Sequence, residues 1–401
     1  MKNIRKDFPI LNSKINGQNL VYFDNAATTQ KPQQVIDSIT NFYSKNNATV
    51  HRGVYSFAED ATIIYEEARK KVATFLNAQP DEIVFTHGAT AGINIVALSW
   101  AEKHITQDDE IIISELEHHS NLIPWQQLAK KKCAKLLVIP INENFELNLN
   151  VYKTLLSKKT KLVAISHVSN VLGTNNDIEF ITKKAHEVGA KVLIDAAQSV
   201  AHQKIDVLKI GCDFLIFSGH KLLGPTGIGV LFIKKSIHHD IQPFFYGGGM
   251  VFETEFEKTT FKKVPYMLEV GTPAIEQAVG LSSAIDYIEQ NIDFQKLREH
   301  EANLCHKLIQ ELLKFPLIKI LGPIDQLSKM GHIVTFTIDG IHPHDVASYL
   351  DTFGICVRAG HHCAQQLHKT LGVDSSIRVS FFAYNTQQEV DFFIEVLKKL
   401  I

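Results

Sequence analysis

Short apolar runs that break off in polar residues recur along the first two thirds of the chain. They are too short for typical helices and rich in β-branched and aromatic residues, which is typical of strands buried on both faces. The runs lie near residues 82–86, 110–114, 136–140, 162–166, 191–195 and 213–217. Segments with helical periodicity separate them, near residues 32–44, 58–76, 88–100, 124–132 and 178–188. This alternation predicts an α/β fold with a mainly parallel sheet covered by helices.

The pattern changes after the last of these strands. A run at residues 227–233 contains glycines, so we expect an edge or antiparallel member of the same sheet. Long helical periodicity begins at residue 274, and strand-like runs follow near 333–338 and 377–382 with a helix near 343–353 between them. These features predict a smaller α+β domain.

The change of pattern sets the predicted domain organisation. Residues 21–273 are expected to form a large domain and residues 274–401 a small one. Residues 1–20 are polar and irregular, and we expect them to form an N-terminal arm associated with the small domain.

Composition narrows the class of protein. With 401 residues, of which 45% are hydrophobic, the chain can bury a sizeable core. The formal net charge of −2 gives no general attraction to nucleic acid or to an anionic membrane. No segment approaches the roughly eighteen apolar residues of a membrane span, and no apolar signal segment follows Met1–Phe8, so a cytoplasmic location is expected. The five cysteines lack CxxC spacing, which argues for reduced thiols and against a metal site.

Two of the predicted strands end in groups that could act together. The run 213–217 leads into Ser218-Gly219-His220-Lys221, and the run 191–195 ends at Asp195. Open α/β sheets bind ligands at the carboxyl ends of their strands, so both groups could face one site. A pyridoxal phosphate site requires that pair, since a lysine holds the aldehyde and a carboxylate keeps the pyridine nitrogen protonated. The alternative is a solvated lysine and a helix-capping aspartate.

Two further strand ends suggest ligand contacts. The strand-like segment 21–29 breaks into small residues, including Ala27, that can lie close to a ligand. Gly88 leads into a predicted helix at Ala89 and Thr90, and the free N–H groups of a helix start bind phosphate. Small residues can equally be turn filler, and such glycine turns are common.

His118 and His119 follow the run 110–114. Adjacent side chains point in different directions, so at most one of them is expected to face a site, where it could stack on a flat cofactor. Zinc ligation by both is not expected without other ligands at suitable spacing.

One cysteine differs from the other four. Cys363 closes the polar segment Arg358-Ala359-Gly360-His361-His362-Cys363, a setting that can favour the thiolate. Arg358 and Arg378 are candidate clamps for a substrate carboxylate, with a surface ion pair as the alternative. The remaining cysteines fit buried hydrophobic positions, at Cys133, Cys212, Cys305 and Cys356.

These motifs together resemble the SufS-type cysteine desulfurases, in the class V branch of fold-type I pyridoxal phosphate enzymes. The resemblance spans nearly the whole chain. Its motifs are Asp24-Asn25-Ala26-Ala27, His51-Arg52-Gly53, His167-Val168-Ser169-Asn170, Asp195-Ala196-Ala197-Gln198, Ser218-Gly219-His220-Lys221 and Arg358-Ala359-Gly360-His361-His362-Cys363. The resemblance implies a seven-stranded sheet in the large domain and pyridoxal 5'-phosphate as cofactor.

The resemblance also implies a role for each matching residue. Catalysis would use Lys221, Asp195, His118 and Cys363, converting L-cysteine to L-alanine with the sulfur held on Cys363 as a persulfide. The cofactor contacts would be Ala89, Thr90, His118, Asp195, Gln198, Ser218, His220, Lys221 and, from the neighbouring subunit of a homodimer, Thr272. The substrate contacts would be Ala27, Asn170, Arg358 and Arg378.

The short cysteine loop resembles that of enzymes needing a SufE- or SufU-type acceptor protein, which would pass the sulfur to iron–sulfur cluster assembly. Family members often carry Thr-Thr after the phosphate-loop glycine, whereas this chain has Ala89-Thr90, so one hydroxyl contact is absent and the backbone donors remain.

Three alternatives stay open. Selenocysteine lyase shares the fold and could use the same residues, so we expect it as a side activity. Kynureninase gives no reason for the thiol of Cys363. A non-catalytic scaffold would be expected to lose Lys221, Asp195 or Cys363, and all three are present.

Overall fold

Seven of the apolar runs form one sheet in the computed structural model, which describes residues 4–401. The strands are β1 (Ile83–Thr86), β2 (Glu110–Ser114), β3 (Lys135–Ile139), β4 (Thr160–Ser166), β5 (Lys191–Asp195), β6 (Phe214–Ser218) and β7 (Gly229–Ile233). Their order across the sheet is β1-β7-β6-β5-β4-β2-β3. The predicted α/β fold with a mainly parallel seven-stranded sheet is confirmed.

Strand β7 is the exception to the parallel arrangement. It runs antiparallel to both β6 and β1, as one of the two expectations had it. The other expectation, an edge position, is wrong, because β1 pairs with the far side of β7 and leaves all five of its residues buried. Its glycine at Gly229 reflects close packing, since a Cβ there would lie 2.5 Å from Gly88 Cα.

The sheet is buried on both faces, which explains the continuous apolar runs. On β6, Leu215 and Phe217 belong to one hydrophobic cluster, whereas Phe214 and Ile216 belong to another on the opposite face. Successive side chains of a strand point to opposite faces, so an apolar residue is needed at nearly every position.

Helices cover the sheet and build the second domain. They are α1 (Gln33–Asn41), α2 (Ser56–Leu76), α3 (Ala89–Val96), α4 (Ile123–Lys132), α5 (Leu149–Leu155), α6 (Ile178–Glu187), α7 (Val207–Ile210), α8 (Ile275–Asn291), α9 (Phe294–Leu312), α10 (Ile324–Met330), α11 (Pro343–Asp351), α12 (Gln365–Leu371) and α13 (Gln387–Leu397). Helix α3 continues through a wider turn at Ala97–Ala101 into Glu102–His104. The long helical pattern predicted from residue 274 is two helices, α8 and α9. None of the helices described is long and apolar enough to cross a membrane.

A second, antiparallel sheet lies in the carboxyl-terminal third. Its strands are β8 (Ile318–Leu321), β9 (Ile333–Ile338), β10 (Arg358–Gly360) and β11 (Ser376–Ser380), in the order β8-β9-β11-β10. Four two-residue strands, Lys14–Ile15, Gln18–Asn19, Val21–Tyr22 and Ile355–Cys356, and a hairpin of Val251–Thr254 with Thr259–Phe261 complete the strands within the described residues. Sequence patterns missed β8 and β10 because short strands carry little periodicity.

The segment before the large domain contacts the carboxyl-terminal third. Arg5 forms an ion pair with Glu389 at 2.8 Å and donates to Tyr384 O at 3.1 Å, and Asn16 Nδ2 donates to Asp351 O at 2.8 Å. Just after the arm, the strand Val21–Tyr22 pairs in parallel with Ile355–Cys356. These contacts support an arm associated with the small domain. The boundaries at residues 20 and 273 stay predictions, and residues 1–3 of the arm lie outside the described residues.

Candidate active site

The cavity with the densest set of chemical groups lies at the carboxyl ends of the central strands. It has a volume of about 220 Å³. The candidate residues among its lining are Ala27, Ala89, Thr90, His118, Asn170, Asp195, Gln198, Ser218, His220, Lys221, Arg358, Cys363 and Arg378. The crossover topology brings these distant positions together, as expected for ligand sites of α/β sheets.

Lys221 and Asp195 face this cavity from neighbouring strands. Asp195 ends β5 and is 7% exposed, and Lys221 closes the short helical turn Gly219–Lys221 that follows β6. Burial lowers the pKa of Lys221 to about 8, although the charge of Asp195 acts in the opposite direction. Burial raises the pKa of Asp195. The hydrogen bond that Ala197 N donates to Asp195 Oδ1 at 2.9 Å acts in the opposite direction. Lys221 therefore loses its proton more readily near neutral pH than an ordinary lysine does.

Thr29 and Lys31, which were not among the predicted site residues, hold the turn that carries Lys221. The carbonyl of His220 accepts from Thr29 N and Thr29 Oγ1, each at 3.1 Å, and from Lys31 Nζ at 2.9 Å. Burial lowers the pKa of Lys31 to about 7. These contacts fix the backbone next to Lys221. The sequence did not indicate that Thr29 and Lys31 hold this turn, because their partner His220 lies about 190 positions away in the chain.

His118 is the histidine of the adjacent pair that lines the cavity. Its Nδ1 accepts from Ser120 N at 3.1 Å, which leaves Nε2 for the cavity or solvent. Burial, followed by the charge of Lys221, lowers the pKa of His118 to about 3, so the ring is neutral at neutral pH. His119 turns away and accepts from Gln365 N at 3.0 Å. The structure thereby separates the two rings, which the residue pattern alone left open.

The buried carboxylate of Glu117 fixes the turn next to His118 through hydrogen bonds. Glu117 Oε1 accepts from Ser114 Oγ at 2.5 Å and from Ser166 N at 3.1 Å, and Oε2 accepts from Asn121 Nδ2 at 2.6 Å. Burial raises its pKa to about 7. Sequence reasoning missed Glu117, although a glutamate directly after a buried strand and before a histidine pair was a usable signal.

The start of α3 has groups that suit an anion. Gly88 has a φ of 143°, a left-handed value that glycine tolerates, and it turns the chain so that the helix begins at Ala89. Ala89 N donates to Ser218 Oγ at 2.8 Å, and Thr90 Oγ1 lies 2.6 Å from Ser120 Oγ. Ser120, a lining residue that sequence reasoning missed, adds a hydroxyl to those of Thr90 and Ser218. Helix N–H groups and three hydroxyls suit a phosphate.

Gln198 and Ala27 lie on the wall near the amino-terminal segment. Gln198 Nε2 donates to Ala26 O at 2.7 Å, which fixes the amide beside the small residues Ala26 and Ala27. Small side chains here leave the space that a bound ring would need.

Arg378 sits at the far end of the cavity and is 2% exposed. Its Nη1 donates to Asn170 O at 2.8 Å and its Nη2 to Asp24 Oδ1 at 3.1 Å, while Nε is fully buried and has no partner among residues 4–401. Arg358 is more exposed and lies 3.7 Å from Asp24 Oδ2. A guanidinium has five N–H donors, so these two contacts leave Arg378 with further donors.

Cys363 approaches the cavity on an exposed loop. Of the four cysteines expected to be buried, Cys212 and Cys305 are buried and Cys356 is half-buried, but the expectation is wrong for Cys133, which is exposed at the end of α4. His362 and Cys363 have φ values of 52° and 56°, a left-handed pair that non-glycine residues rarely adopt. The large domain holds this turn through two carbonyls: His119 N donates to Cys363 O and Asn170 Nδ2 to His362 O, each at 2.7 Å. Asn170, predicted as a substrate contact, therefore also anchors the cysteine loop.

Thr272 is the candidate that the cavity does not include. It is exposed and lines a separate cavity together with Tyr65, Phe85 and Val270. Its implied role concerns the phosphate of a neighbouring subunit, and that role stays a prediction.

The cavity fits a flat anionic cofactor such as pyridoxal phosphate. Within residues 4–401, Lys221 Nζ and Asp195 Oδ2 have no hydrogen-bond partner, although both groups line the cavity. An unpaired amine, a buried carboxylate oxygen and the helix start at Ala89 are the groups that would hold the aldehyde, the ring nitrogen and the phosphate.

A cluster of potential metal ligands lies outside this cavity. His202, Glu301 and His332 are buried with ligand atoms within 4.8 Å of one another. The two imidazole rings stack at 3.6 Å between centroids and 12° between planes, and His202 Nδ1 lies 2.9 Å from Glu301 Oε1. Stacked rings direct their nitrogen lone pairs along parallel planes, so both cannot point at one ion. The cluster is better described as a hydrogen-bonded stack.

Comparisons with known proteins agree on one class of enzyme. The family model described as Aminotransferase class-V matches residues 21–393. A probable cysteine desulfurase of Synechocystis sp. is 45% identical over 399 residues, covering 99% of this chain and 95% of that protein. A probable cysteine desulfurase of Staphylococcus epidermidis is 46% identical over 400 residues, covering 100% of this chain and 96% of that protein.

Solved structures give the same result. The apo structure of a cysteine desulfurase from Thermococcus onnurineus NA1 has a TM-score of 0.95 and 39% identity, covering 100% of this chain and 98% of that one. The cysteine desulfurase CsdA of Escherichia coli, solved in an S-sulfonic acid form, has a TM-score of 0.91 and 36% identity, covering 99% and 97%. The likeness therefore extends over nearly the whole length of the chain.

Proposed function

The chain belongs to the class-V aminotransferase family, and we propose that it works as a pyridoxal 5'-phosphate-dependent cysteine desulfurase that converts L-cysteine to L-alanine. The observation that carries this proposal is one cavity lined by Lys221, Asp195, Cys363 and the two arginines Arg358 and Arg378. An amine and an acid suit the cofactor, the arginines suit an amino acid's carboxylate, and the thiol suits a sulfur acceptor.

The chain's own residues would hold the cofactor at fixed points. Lys221 would bind its aldehyde, Asp195 its ring nitrogen and Gln198 its phenolic oxygen, with His118 against the ring. Ala89 N, Thr90, Ser218 and His220 would hold the phosphate. The bound cofactor supplies an electron sink that acidifies the substrate's α-proton and weakens its Cβ–S bond.

The substrate carboxylate would be held by Arg378. Asn170 O and Asp24 Oδ1 account for two of its five N–H donors, so donors remain for a carboxylate. Arg358 would add a second positive charge at the more exposed side. This clamp directs the substrate's side chain toward the cysteine loop.

Proton transfer would be the task of Lys221 and His118. With a pKa of about 8, Lys221 is easily converted between its neutral and charged forms, so it can take the α-proton and return a proton to carbon. His118 remains neutral, and its Nε2 can pass a proton at the same face.

Cys363 would take the sulfur. Its thiolate attacks the substrate sulfur, so that an S–S bond forms while the substrate's Cβ–S bond breaks. The electron pair of the broken bond stays with the carbon skeleton, and the proton that the thiol gives up balances the one that Cβ gains as alanine forms. The products are alanine and a persulfide on Cys363. The kynureninase reaction has no step that requires this thiol.

The partners follow from that persulfide. Cys363 is exposed, so an acceptor protein of SufE or SufU type could reach it and carry the sulfur to iron–sulfur cluster assembly. We propose a cytoplasmic location, where reduced thiols persist.

A homodimer is part of the proposal. Thr272 is exposed and would reach the partner's phosphate site, and large apolar side chains are exposed on the monomer at Val54, Tyr55, Phe57, Phe245, Tyr246, Phe252 and Phe256. Apolar exposure of this extent marks a protein interface. Light scattering should give twice the chain mass, and a fully active monomer would contradict the dimer.

Alanine and sulfide release from L-cysteine, with and without an acceptor protein, tests the proposed function. We expect both products, a faster rate with acceptor, and one added sulfur on the peptide that contains Cys363. Alanine formation without sulfur on that peptide would contradict the proposed route.

A further inference from the structure

A buried ion pair joins Arg69 of α2 to Glu269, outside the candidate active site. Nη1 of Arg69 donates to Glu269 Oε1 at 2.6 Å and Nη2 donates to Oε2 at 2.8 Å, so the contact is bidentate. The two side chains are only 1% and 6% exposed. Nε of Arg69 also donates to Glu66 Oε2, and the hydroxyl of Tyr65 donates to Glu269 Oε2, each at 3.0 Å. The pair is therefore well satisfied, which a buried ion pair needs in order to be stable.

The same ion pair covers the free edge of the large sheet. Strand β1 pairs with β7 on one side only within the described residues. On its other side, Phe85 N donates to Glu269 Oε1 at 2.7 Å, and Ile83 O accepts from Arg69 Nη1 at 2.8 Å. A strand edge presents unpaired N–H and C=O groups, and here the two side chains take the place of a further strand. Glu269 is thereby fixed to the strand that leads into the Gly88 turn.

Glu269 begins a short segment that carries Thr272. Thr272 is exposed, and Pro273 after it leads into α8. Gly271 has a φ of 89°, a left-handed value, and its N–H donates to Gly248 O at 2.8 Å. Glycine is conformationally permissive, so the segment needs anchors to keep one course. The carboxylate of Glu269 supplies such an anchor three positions before Thr272.

We propose that the Arg69–Glu269 pair positions Thr272 for the cofactor phosphate of the neighbouring subunit. This inference rests on the proposed function, in which Thr272 reaches the partner's phosphate site, and it adds the residues that hold Thr272 there. Arg69 and Glu269 are positioning residues, because neither lines the candidate active site. A segment that is already fixed loses little conformational freedom when it binds, so the pair should slow the loss of cofactor from the partner's site.

Hybrid dimers of two differently tagged chains test this proposal. One chain of each hybrid carries Lys221→Ala, so lysine-linked cofactor forms only in the site of the other chain. In the first hybrid, Glu269→Gln is added to the Lys221→Ala chain, whose Thr272 serves the linked site. In the second hybrid, Glu269→Gln is in the chain that keeps Lys221, so the linked site receives Thr272 from a chain with an unchanged ion pair.

The readout is the rate at which the absorption band of lysine-linked cofactor disappears after dilution of the loaded hybrid into buffer with a scavenging apoenzyme. The reference is the hybrid with Lys221→Ala alone. We expect the first hybrid to lose the band about tenfold faster, the effect of one lost hydrogen bond to a charged group. The second hybrid should match the reference. The amide keeps the shape of Glu269, but its NH2 group would face the donor groups of Arg69 or Tyr65 in place of an acceptor oxygen.

Thr272→Val in the first arrangement should give the same increase. Combined with Glu269→Gln in one chain it should add nothing further, because both changes act on one contact. Glu389→Gln is the matched control, since Glu389 is also buried and pairs with an arginine, Arg5, at 2.8 Å, but lies in α13. It should leave the rate unchanged in both arrangements.

If Glu269→Gln does not fold, Tyr65→Phe decides, because it removes only the hydroxyl that donates to Glu269. It should accelerate the loss to a smaller extent, again only in the first arrangement.

Three outcomes would overturn the inference. Equal acceleration in both arrangements would show a local structural role of the ion pair, and an unchanged rate in the first arrangement would show no role in retaining the cofactor. Additive effects of Glu269→Gln and Thr272→Val would show that Glu269 does not act through Thr272. A wild-type enzyme that shows the expected hybrid pattern but forms no alanine from L-cysteine would refute the desulfurase reaction and support the positioning role.

Discussion

Lys221 and Cys363 line the same cavity, but they are built into the molecule in opposite ways. Lys221 follows a strand whose five residues are all buried, and the preceding carbonyl is clamped by Thr29 and Lys31. Cys363 is exposed, in a left-handed turn held by two backbone carbonyls. The amine needs a fixed position and an altered proton affinity, which burial provides. In the proposed reaction, the thiol would meet a substrate inside and an acceptor outside, which requires exposure.

Lys221→Ala should cause the largest loss, because Lys221 carries the one amine among residues 4–401 that lines this cavity with Asp195. We expect no alanine from L-cysteine and loss of the absorption band of lysine-linked cofactor, while phosphate contacts at Ala89 and Ser218 still retain some cofactor. Spectra and amino-acid analysis check this. Normal alanine production by the variant would remove Lys221 from the mechanism.

Cys363→Ser tests the exposed member of this pair. The cofactor site is untouched, so L-cysteine should still bind and alter the spectrum, but a serine hydroxyl cannot store sulfur and turnover with an acceptor should stop. Cys133→Ser is the control, since this thiol is also exposed but lies outside the cavity. Desulfuration at the normal rate by Cys363→Ser, or added sulfur on another cysteine, would show that the loop is not the acceptor.

Asp195→Asn should lower turnover by orders of magnitude without stopping it. The amide keeps the shape and can still accept from Ala197 N, but it cannot balance a protonated pyridine nitrogen. We expect the melting temperature of the variant to stay near that of wild type, which separates loss of charge from loss of fold. A near wild-type rate would mean that another group protonates the ring.

Acid should weaken both regions slightly, through buried histidines. Burial lowers the folded-state pKa of His167, beside the central sheet, to about 4 and that of His362, in the cysteine loop, to about 2. Below the unfolded value near 6.5, the unfolded chain binds protons that the folded chain excludes, so stability is lost as pH falls. Each histidine should lower the free energy of unfolding by about 1.4 kcal/mol per pH unit.

Urea denaturation between pH 7.5 and 5.5 measures this slope. His362→Asn should reduce it relative to wild type, whereas His361→Asn, at an exposed position, should leave it unchanged. Equal slopes for the two variants would contradict a buried neutral His362.

Much of the site could be predicted at the strand ends. Asp195 and Lys221 follow long apolar runs, so the pattern places them at one edge of the sheet before any coordinates are known. The position of β7 could not be predicted, because a strand's partner across a sheet depends on the return path of the chain and on the close fit of Gly229 against Gly88.

By itself, the sequence determined the α/β class, the two-part pattern and the chemical groups at each strand end, because periodicity and residue type are local properties. Only the tertiary structure decided which groups meet. It placed His118 and not His119 at the cavity, and it supplied Lys31, Glu117 and Ser120 as supports. Hydrogen bonding and burial depend on residues far apart in the chain, and they appear only when the strands and the cysteine loop pack together.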